Sequence, residues 1–339
     1  MPTATERFKE AIQTSVPSKN SLGQIVVDYT KPIDKDAPST IKSIPLEHEY
    51  CQASMTLALD SLKQTESLGN KYIFWHPFLS ILIVVVSSLF LKRYPLIHLS
   101  KVSEESVLSY AGKNLFKNKD TLTNFVLFIA FSVTVFFKLL ANINSHYFSN
   151  VSQLLESENG KSVFGIDIKD YALDKNIIND KLILKNNANI IVYRDVPIAL
   201  AALDTPLGNI KDEDEDIIEL KNIATIKALS CRRVYLKSGI LEDLLNWSKK
   251  RCLDLNETVY SKKNTIKGQS VYENNLIEKL QFKTYSYEYD LEKLMISNGF
   301  KLVKLEKLDS KINRLVILLN AIGIRTKTWE IKVPVKESN

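Results

Sequence analysis

Cysteine and histidine are scarce in this chain of 339 residues, and their scarcity excludes several kinds of chemistry. The three cysteines, Cys51, Cys231 and Cys252, form no CxxC pair and are odd in number, which indicates neither a zinc site nor a disulfide framework. Histidine occurs four times and never after His146, so the chain beyond that residue lacks the commonest general base of enzymes. We therefore predict no metal site and nominate no catalytic residue.

Strongly basic segments are missing as well. The net charge is only +6, and no basic helix or basic patch interleaved with aromatic residues follows the pattern of phosphate binding. Nucleic acid is therefore not an expected partner. Residues 212–216 form an acidic run that lacks a scaffold to fix metal-ligand geometry, so we predict a solvated loop tip there.

The N-terminal region lacks a short basic segment followed by an apolar core and a small-residue cleavage site. We expect no cleaved signal peptide, and the first apolar span would then act as the targeting signal. Residues 1–45 are rich in Ser, Thr, Lys and Pro without a periodic apolar face, which predicts a flexible arm. In residues 46–72 apolar side chains recur loosely at helical spacing, which predicts an amphipathic helix leading into the membrane.

Two long apolar runs follow. Residues 73–91 contain no Asp, Glu, Lys or Arg and have aromatic residues at one end and Lys92 and Arg93 beyond the other, as expected of a membrane span. Residues 122–141 contain a single charged residue, Lys138, which lies close enough to the end of the run to reach water. We predict a two-helix transmembrane hairpin from these runs.

Small polar side chains inside the two runs allow two interpretations. They would hold the hairpin together if they bonded from helix to helix, but Ser and Thr also bond to carbonyl groups of their own helix. The side chains concerned are Ser80, Ser87 and Ser88 in the first run and Asn124, Ser132 and Thr134 in the second.

The predicted loop between the spans, residues 92–121, carries more Lys and Arg than the segments just outside the pair. The positive-inside rule then places this loop in the cytosol and both termini on the other side. In that orientation the Asn-x-Ser/Thr sequons at Asn150, Asn246 and Asn256 would face a glycosylating compartment. The orientation of the large domain is therefore predicted from the charge distribution alone.

Residues 158–339 show the mixture of strand and helix patterns that is typical of an α+β domain. Gly239 marks a turn between a strand pattern and an amphipathic helix. Before it we predict strands at 189–194, 198–203 and 222–231, with a turn at 195–197. After it we predict strands at 257–260, 277–282, 301–305 and 328–333, and helices at 291–297 and 312–322.

The first part of this succession, over residues 160–290, resembles the GCN5-related N-acetyltransferase (GNAT) fold. In that family the backbone amides at the start of the helix hold the pyrophosphate of acetyl-CoA. The resemblance therefore implies Ser238, Gly239 and Ile240 as the cofactor-binding residues if such binding survives.

The family pattern is degenerate in this chain. Leu236 replaces the Gln or Arg of the loop, and Leu241 replaces a small residue that permits close approach of the backbone. The position of the tyrosine that often serves as general acid falls on Ile277. We therefore predict a GNAT-like domain without a cofactor and without catalysis, a pseudoenzyme.

A second resemblance covers nearly the full chain. The blocks Lys-Pro-Ile-Asp-Lys-Asp-Ala-Pro at residues 31–38 and Asn-Lys-Tyr-Ile-Phe-Trp-His-Pro at residues 70–77, with the two-span layout, resemble a fungal family of endoplasmic-reticulum membrane proteins. Its members assist the high-affinity inorganic phosphate transporter in leaving that compartment. The resemblance implies a chaperone or packaging factor whose partners are this polytopic transporter and vesicle-coat machinery.

Two functions thus stay open. The first is a non-enzymatic chaperone for a membrane transporter, and the alternative is a membrane-anchored N-acyltransferase that uses acetyl-CoA. The degenerate loop favours the first. A small transporter is disfavoured, because two spans without paired buried charges provide no pathway.

Overall fold

The computed structural model describes residues 18–19, 25–26, 41–93, 119–173, 187–205, 222–265, 276–309 and 314–334. The chain forms two compact units. We call the first the sheet unit; it combines Met1–Thr65, Ser149–Lys307 and Arg325–Asn339. The second, the helical unit, combines Glu66–Phe148 with Leu308–Ile324.

A seven-stranded mixed sheet forms the centre of the sheet unit. Its strands in chain order are β1 (Ile41–Pro45), β2 (Ala188–Tyr193), β3 (Val196–Asp204), β4 (Ile223–Cys231), β5 (Lys279–Tyr285), β6 (Lys301–Lys307) and β7 (Arg325–Lys332). Their order in space is β1-β2-β3-β4-β5-β7-β6. Only β4 and β5 run parallel.

The helices in chain order are α1 (Cys51–Trp75), α2 (Phe78–Arg93), α3 (Lys119–Ser157), α4 (Lys161–Phe164), α5 (Ile168–Leu173), α6 (Ile240–Thr265), α7 (Tyr289–Ser297) and α8 (Val316–Ala321). Helix α6 connects β4 to β5, because a parallel pair needs a crossover connection. The order of these elements is the predicted one: the β2–β3 hairpin is followed by β4, then by the glycine turn and α6. The mixed sheet agrees with a GNAT-like α+β domain.

Strand β1 lies in the stretch that the sequence predicted as a flexible arm, residues 1–45, and that prediction is wrong for Ile41–Pro45. The strand pairs antiparallel with β2, from Ile41 opposite Tyr193 to Pro45 opposite Asn189. Pro45 is tolerated because β1 is an edge strand. The strand was missed because Ile41 and Ile44 do not alternate with the period of two that marks a strand.

The sheet unit therefore includes chain from both sides of the apolar helices, whereas the predicted domain was confined to residues 158–339. Helix α1, expected to lead into the membrane, begins at Cys51, and its Leu57 and Ala58 lie in the core of the sheet unit. Residues 308–324 of the predicted domain belong to the helical unit instead.

The β2–β3 hairpin has the predicted position, but its turn lies earlier than residues 195–197. Arg194 and Asp195 both have positive φ, 50° and 58°, and β3 already begins at Val196. Two consecutive left-handed residues match the twist of a tight hairpin. Asp195 tolerates this backbone region better than most residues do.

Both faces of the central strands are covered, and each face has its own core. Ile191 and Ile198 share one core with residues of α6, whereas Ile190 and Leu200 share the other with residues of α1, α4 and α5. Successive side chains of a strand point to opposite faces, so strands covered on both faces are almost wholly apolar.

The strand predicted at residues 257–260 is wrong, because these residues lie inside α6. Leu244, Ser248, Cys252 and Leu255 are all buried and recur every three or four residues, which is the period of a helix. Toward the C-terminus, the helix predicted at 312–322 is α8, limited to Val316–Ala321; residues 310–313 lie outside the described part of the chain.

The helical unit contains the apolar helices. Helix α3 has 39 residues and is long and apolar enough, from Thr123 onward, to cross a membrane. Helix α2 qualifies only together with the helix before it, and the two are bent by 41°. The described residues therefore contain one candidate span, or two if the bent pair is a single span. Residues 94–118 of the predicted inter-span loop lie outside the described residues.

The bend corrects the first predicted span, residues 73–91, because the helix is interrupted at His76 and Pro77. Proline lacks an N–H and its ring clashes with the preceding turn, so a helix breaks where proline follows it. Sixteen residues of α2 extend about 24 Å, which is short of the roughly 30 Å of hydrocarbon without the end of α1.

Helices α1–α2 and α3 contact each other in antiparallel order within the helical unit. Phe74 lies edge-on to Phe137, and Phe78 stacks on Phe136, with ring centroids 5.4 and 5.6 Å apart. Ser88 and Ser132 bond to carbonyl groups of their own helices at 2.8 Å, so the second interpretation of these serines is correct. Aromatic packing therefore joins the helices at this level.

Candidate functional site

The glycine turn implied as a cofactor loop follows β4 and begins α6. A short 3-10 turn, Arg233–Tyr235, precedes it, and Ser238 bonds back to the Tyr235 carbonyl through both its N–H and its hydroxyl, at 3.1 and 2.7 Å. Gly239 has φ +84°, a region that side chains disfavour. The structure thus brings Ser238 and Gly239 to the exposed start of the helix, while Ile240 is buried.

Charge at this helix start does not favour an anion. The first turn of α6 contains Glu242 and Asp243, both exposed, and their N–H groups donate to the Gly239 carbonyl at 2.9 and 3.1 Å. Acidic side chains stabilise the N-terminal end of a helix, and a pyrophosphate placed there would be repelled by them. Arg233 and Lys237 nearby are exposed to water.

The bulky residue at the degenerate position does not cover the loop. Leu241 belongs to the core between the sheet and α6, so its side chain is turned away from the exposed turn. A Cβ atom built on Gly239 would meet nothing within 4 Å. Within the protein, Gly239 is therefore needed for its backbone angle and not to make room for another residue.

A second feature lies at the far ends of the two parallel strands. Strands β4 and β5 are paired only from Ile223 to Ile226 and from Lys279 to Phe282. Beyond these residues β4 continues to Cys231 and β5 to Tyr285 without pairing to each other. Parallel strands that separate in this way leave backbone groups that need other partners.

Helix α1 supplies partners at both strand ends. Gln64 donates from Nε2 to the carbonyl oxygen of Cys231 at 3.3 Å. Thr65 donates from its hydroxyl to Glu288 at 3.0 Å, and the other oxygen of Glu288 accepts from the Tyr285 N–H at 2.7 Å. The middle of α1 therefore links the ends of the diverging strands, with β4 bonded directly by Gln64 and β5 bonded through Glu288.

Glu288 is the one carboxyl group among the described residues that is classed as buried. Burial raises its pKa, and the hydrogen bonds from the Tyr285 N–H and the Thr65 hydroxyl act in the opposite direction. Both of its oxygens accept hydrogen bonds from the protein itself, so the geometry is that of a structural acid. The sequence did not reveal Gln64, Thr65 or Glu288, because no local pattern marks side chains that meet only in the fold.

The described residues at these two features include neither a readily ionised thiol nor a cluster of metal ligands. All three cysteines are buried, and burial raises the pKa of Cys231 to about 11 and that of Cys252 to about 12, which disfavours the reactive thiolate. No group of His, Cys, Asp and Glu side chains that could hold a metal ion occurs in the described part of the chain. His48 lies against the ring of Tyr171, with centroids 4.3 Å apart.

Comparison with known proteins finds one family that matches most of the chain. The family described as inorganic phosphate transporter chaperone Pho86 matches residues 23–333. The match includes both apolar helices, the glycine turn and the strands of the sheet. No curated protein matches the chain.

Among solved structures, the chain is similar to several acetyltransferases at low identity. The ribosomal-protein-S18-alanine N-acetyltransferase from Escherichia coli is 10% identical, covering 45% of this chain and 72% of that one, with a TM-score of 0.28. Naa50 from Arabidopsis thaliana is 12% identical over 52% of this chain and 91% of its own, also with a TM-score of 0.28. At such scores the similarity carries no argument about activity, and the fold assignment depends on strand order and register.

Proposed function

The chain belongs to the Pho86 family of inorganic phosphate transporter chaperones, and on this premise we propose that it acts in the endoplasmic-reticulum membrane, where it prepares a polytopic phosphate transporter for exit. The observation that carries the proposal is the family match over residues 23–333, which extends through the apolar helices and the sheet alike. Vesicle-coat machinery is a further proposed partner, because a cargo that leaves this compartment must be collected into carriers.

The strand pairing supports a two-span anchor. Strand β1 precedes α2 in the chain and β2 follows α3, yet the two strands are hydrogen-bonded neighbours in one sheet. They must therefore lie on the same side of any membrane that the chain between them crosses, which requires an even number of crossings. Since α3 is a candidate span, the bent pair of α1 and α2 supplies the second.

The outward face of α3 offers a surface for a client within the bilayer. Leu127, Phe131, Val135 and Leu139 recur every four residues and are all exposed. A stripe of this kind packs against lipid when the chaperone is alone and against client helices when a client is present. Because lipid tails are as apolar as the stripe, specificity must come from shape and from the few polar side chains.

Association with the client is testable at this stripe. A photoreactive phenylalanine analogue at Phe131, which is exposed, should crosslink to the phosphate transporter in native membranes. The same analogue at Phe148, which is buried in the same helix, is the matched control and should give no crosslink. Equal crosslinking of Phe131 to unrelated polytopic proteins would argue against a dedicated client.

The sheet unit supports a non-enzymatic role. Gln64 already bonds to the backbone where β4 and β5 diverge, and two carboxylates occupy the first turn of α6. The described residues of the glycine turn include no side chain placed as a nucleophile. We infer a GNAT-like domain that serves as a structural platform and is a pseudoenzyme.

The alternative, an acetyl-CoA-dependent N-acyltransferase, is favoured by one observation, the glycine turn that opens onto the start of α6 between two parallel strands. Calorimetry of acetyl-CoA with the full chain in detergent tests it, with Gly239→Trp as the variant that blocks the loop. Micromolar binding that the variant loses would contradict the loss of the cofactor site and would favour the alternative, whose amine substrate would then be sought. We expect the folded protein to give no heat of acetyl-CoA binding.

A further inference from the structure

An exposed apolar ridge occurs on the part of the helical unit that follows the sheet strand β6. Within Leu308–Ile324, which we call the β6–β7 segment, Leu315, Ile317 and Leu318 expose 56%, 64% and 42% of their surface. Their neighbours Val316 and Leu319 are completely buried. The described part of the segment therefore has one face packed in the protein and one apolar face that is exposed.

Hydrogen bonds hold the described residues of this segment together. The Asn320 side chain accepts from the Leu308 N–H at 2.9 Å and donates to the Leu308 carbonyl at 3.3 Å, which joins the start of the segment to α8. Gly323, at φ +84°, ends the short helix α8, and the Ile324 N–H donates to the Leu319 carbonyl at 3.1 Å. The ridge is thus presented by an ordered scaffold.

The position of the segment along α1 relates it to the membrane. A Cβ atom built on Gly323 would lie 4.0 Å from the hydroxyl oxygen of Tyr72, so the segment reaches that residue. Tyr72 lies about 4.5 Å along the helix axis before Trp75. Phe74 and Trp75 are exposed aromatic residues at the start of the first apolar run, as in the aromatic belt of a membrane–water interface.

The charge next to the ridge also suits a lipid surface. Arg314 is exposed and directly precedes Leu315. A cation beside large apolar side chains is the pattern of elements that lie in the headgroup region, where the apolar side chains enter the acyl boundary and the cation contacts lipid phosphate.

We propose that Leu315, Ile317 and Leu318 of the β6–β7 segment form a monotopic membrane contact, which lies in the interfacial layer of the bilayer beside the first span. The inference rests on the proposed membrane anchor and adds a third, non-spanning contact to it. We expect lipid to cover the ridge, because the exposed aromatic residues Phe74 and Trp75 of the same unit lie close to Tyr72, which the segment reaches.

Depth-dependent fluorescence quenching tests the proposal on the full chain in liposomes that contain anionic lipid and no other protein. A single added cysteine at Ile317 or Leu318 carries the fluorophore. The three native cysteines are buried, and burial raises the thiol pKa of Cys231 and Cys252, so they stay unlabelled in the folded protein. Leu127→Cys on the exposed face of α3 is the lipid reference, and Asp309→Cys, exposed at the other end of the segment, is the matched control.

The labels at Ile317 and Leu318 should be quenched by a shallow lipid-borne quencher at least about threefold more strongly than by aqueous iodide, with the opposite preference at Asp309. Quenching at Ile317 by iodide alone, with lipid quenching intact at Leu127, would overturn the proposal but leave the membrane anchor. Iodide quenching at Leu127 as well would overturn the anchor itself. If the Ile317 label became protected from iodide only after purified phosphate transporter was added, the occupant would be the client and the lipid contact would be rejected.

Discussion

Asn256 acts as a hydrogen-bonding partner for the chain just before β5. Its side chain donates to the Ile277 carbonyl at 2.9 Å and accepts from the Ile277 N–H at 2.8 Å, and both residues are buried. The carbonyl and N–H of Ile277 are thus satisfied by one side chain from α6. A sequon asparagine held in this way cannot carry a glycan in the folded domain.

Asn256→Ala should lower the free energy of unfolding by about 2–3 kcal/mol, because two buried backbone groups lose their partner. Chemical unfolding of the full chain in detergent measures this loss. Asn246→Ala, at an exposed position of the same helix, should change it by less than about 0.5 kcal/mol. Equal effects of the two substitutions would show that the bridge to Ile277 contributes nothing.

Glu288 should make stability depend on pH. Burial raises its pKa in the folded protein above the value in the unfolded chain, so the folded state binds more protons between the two values. Stability therefore falls as pH rises from acid through that interval. Glu288→Gln removes this dependence and should raise the melting temperature more at pH 7 than at pH 5.

Thermal unfolding at both pH values measures the difference, and Glu242→Gln, at an exposed carboxylate, is the control that should shift both temperatures equally. A Glu288→Gln effect that is the same at pH 5 and pH 7 would contradict the account. The sequence did not nominate Glu288, because its burial depends on Thr65, which lies more than two hundred residues away in the chain.

At the scale of elements, the apolar helices are joined by polar contacts outside the serines that the sequence singled out. Asn144 of α3 is buried and donates to the Glu66 carbonyl at 3.1 Å and to the Asn70 side chain at 3.0 Å. Ser145 beside it bonds to the Glu66 carboxylate. These contacts lie just beyond the second predicted span, residues 122–141. The sequence analysis considered only the polar side chains inside the two spans and therefore missed them.

Asn144→Ala should weaken the packing of α3 on α1 by about 1 kcal/mol, in the range of hydrogen bonds between membrane helices. Urea-dependent unfolding in micelles would detect it as a lower midpoint. Asn142→Ala, an exposed asparagine on the same helix, should leave the midpoint unchanged. A similar shift in both variants would assign the effect to helix propensity instead.

Prediction of the elements succeeded where apolar runs were separated by clear turn residues. The β2–β3 hairpin was predicted from two apolar runs around a turn, β4 from the apolar residues Ile223, Ile226 and Leu229, and Gly239 as the turn before the amphipathic pattern of α6. Residues 257–260 were wrongly predicted as a strand, because four residues are too few to separate alternation from a helical pattern that had already started at Ile240.

At the scale of the whole molecule, the pairing of β1 with β2 is the feature that no local pattern could provide. Ser43 and Asn189 bond at 2.9 Å across 146 positions of chain. The membership of Ile41–Pro45 in the sheet decides that the sheet unit is assembled from both flanks of the apolar helices. A fragment of residues 158–339 would lack β1 and the start of α1.

The assembly also predicts membrane topology. Epitope tags at the N-terminus and at the C-terminus should be protected from protease together or cleaved together in sealed vesicles, because β1 and β2 lie on one side. A tag inserted between residues 94 and 118 should behave oppositely to both. Tags at the two termini with opposite sensitivity would contradict an even number of crossings.

The central claim, that this chain is a phosphate transporter chaperone, is tested most directly by the delivery of the transporter in cells that lack the chain. The fraction of phosphate transporter at the plasma membrane would be counted against the fraction retained in the endoplasmic reticulum, with an unrelated polytopic transporter as the reference. The account predicts retention of the phosphate transporter alone, restored equally by the natural chain and by folded Gly239→Trp. Normal delivery without the chain, or a rescue that Gly239→Trp abolishes, would contradict it.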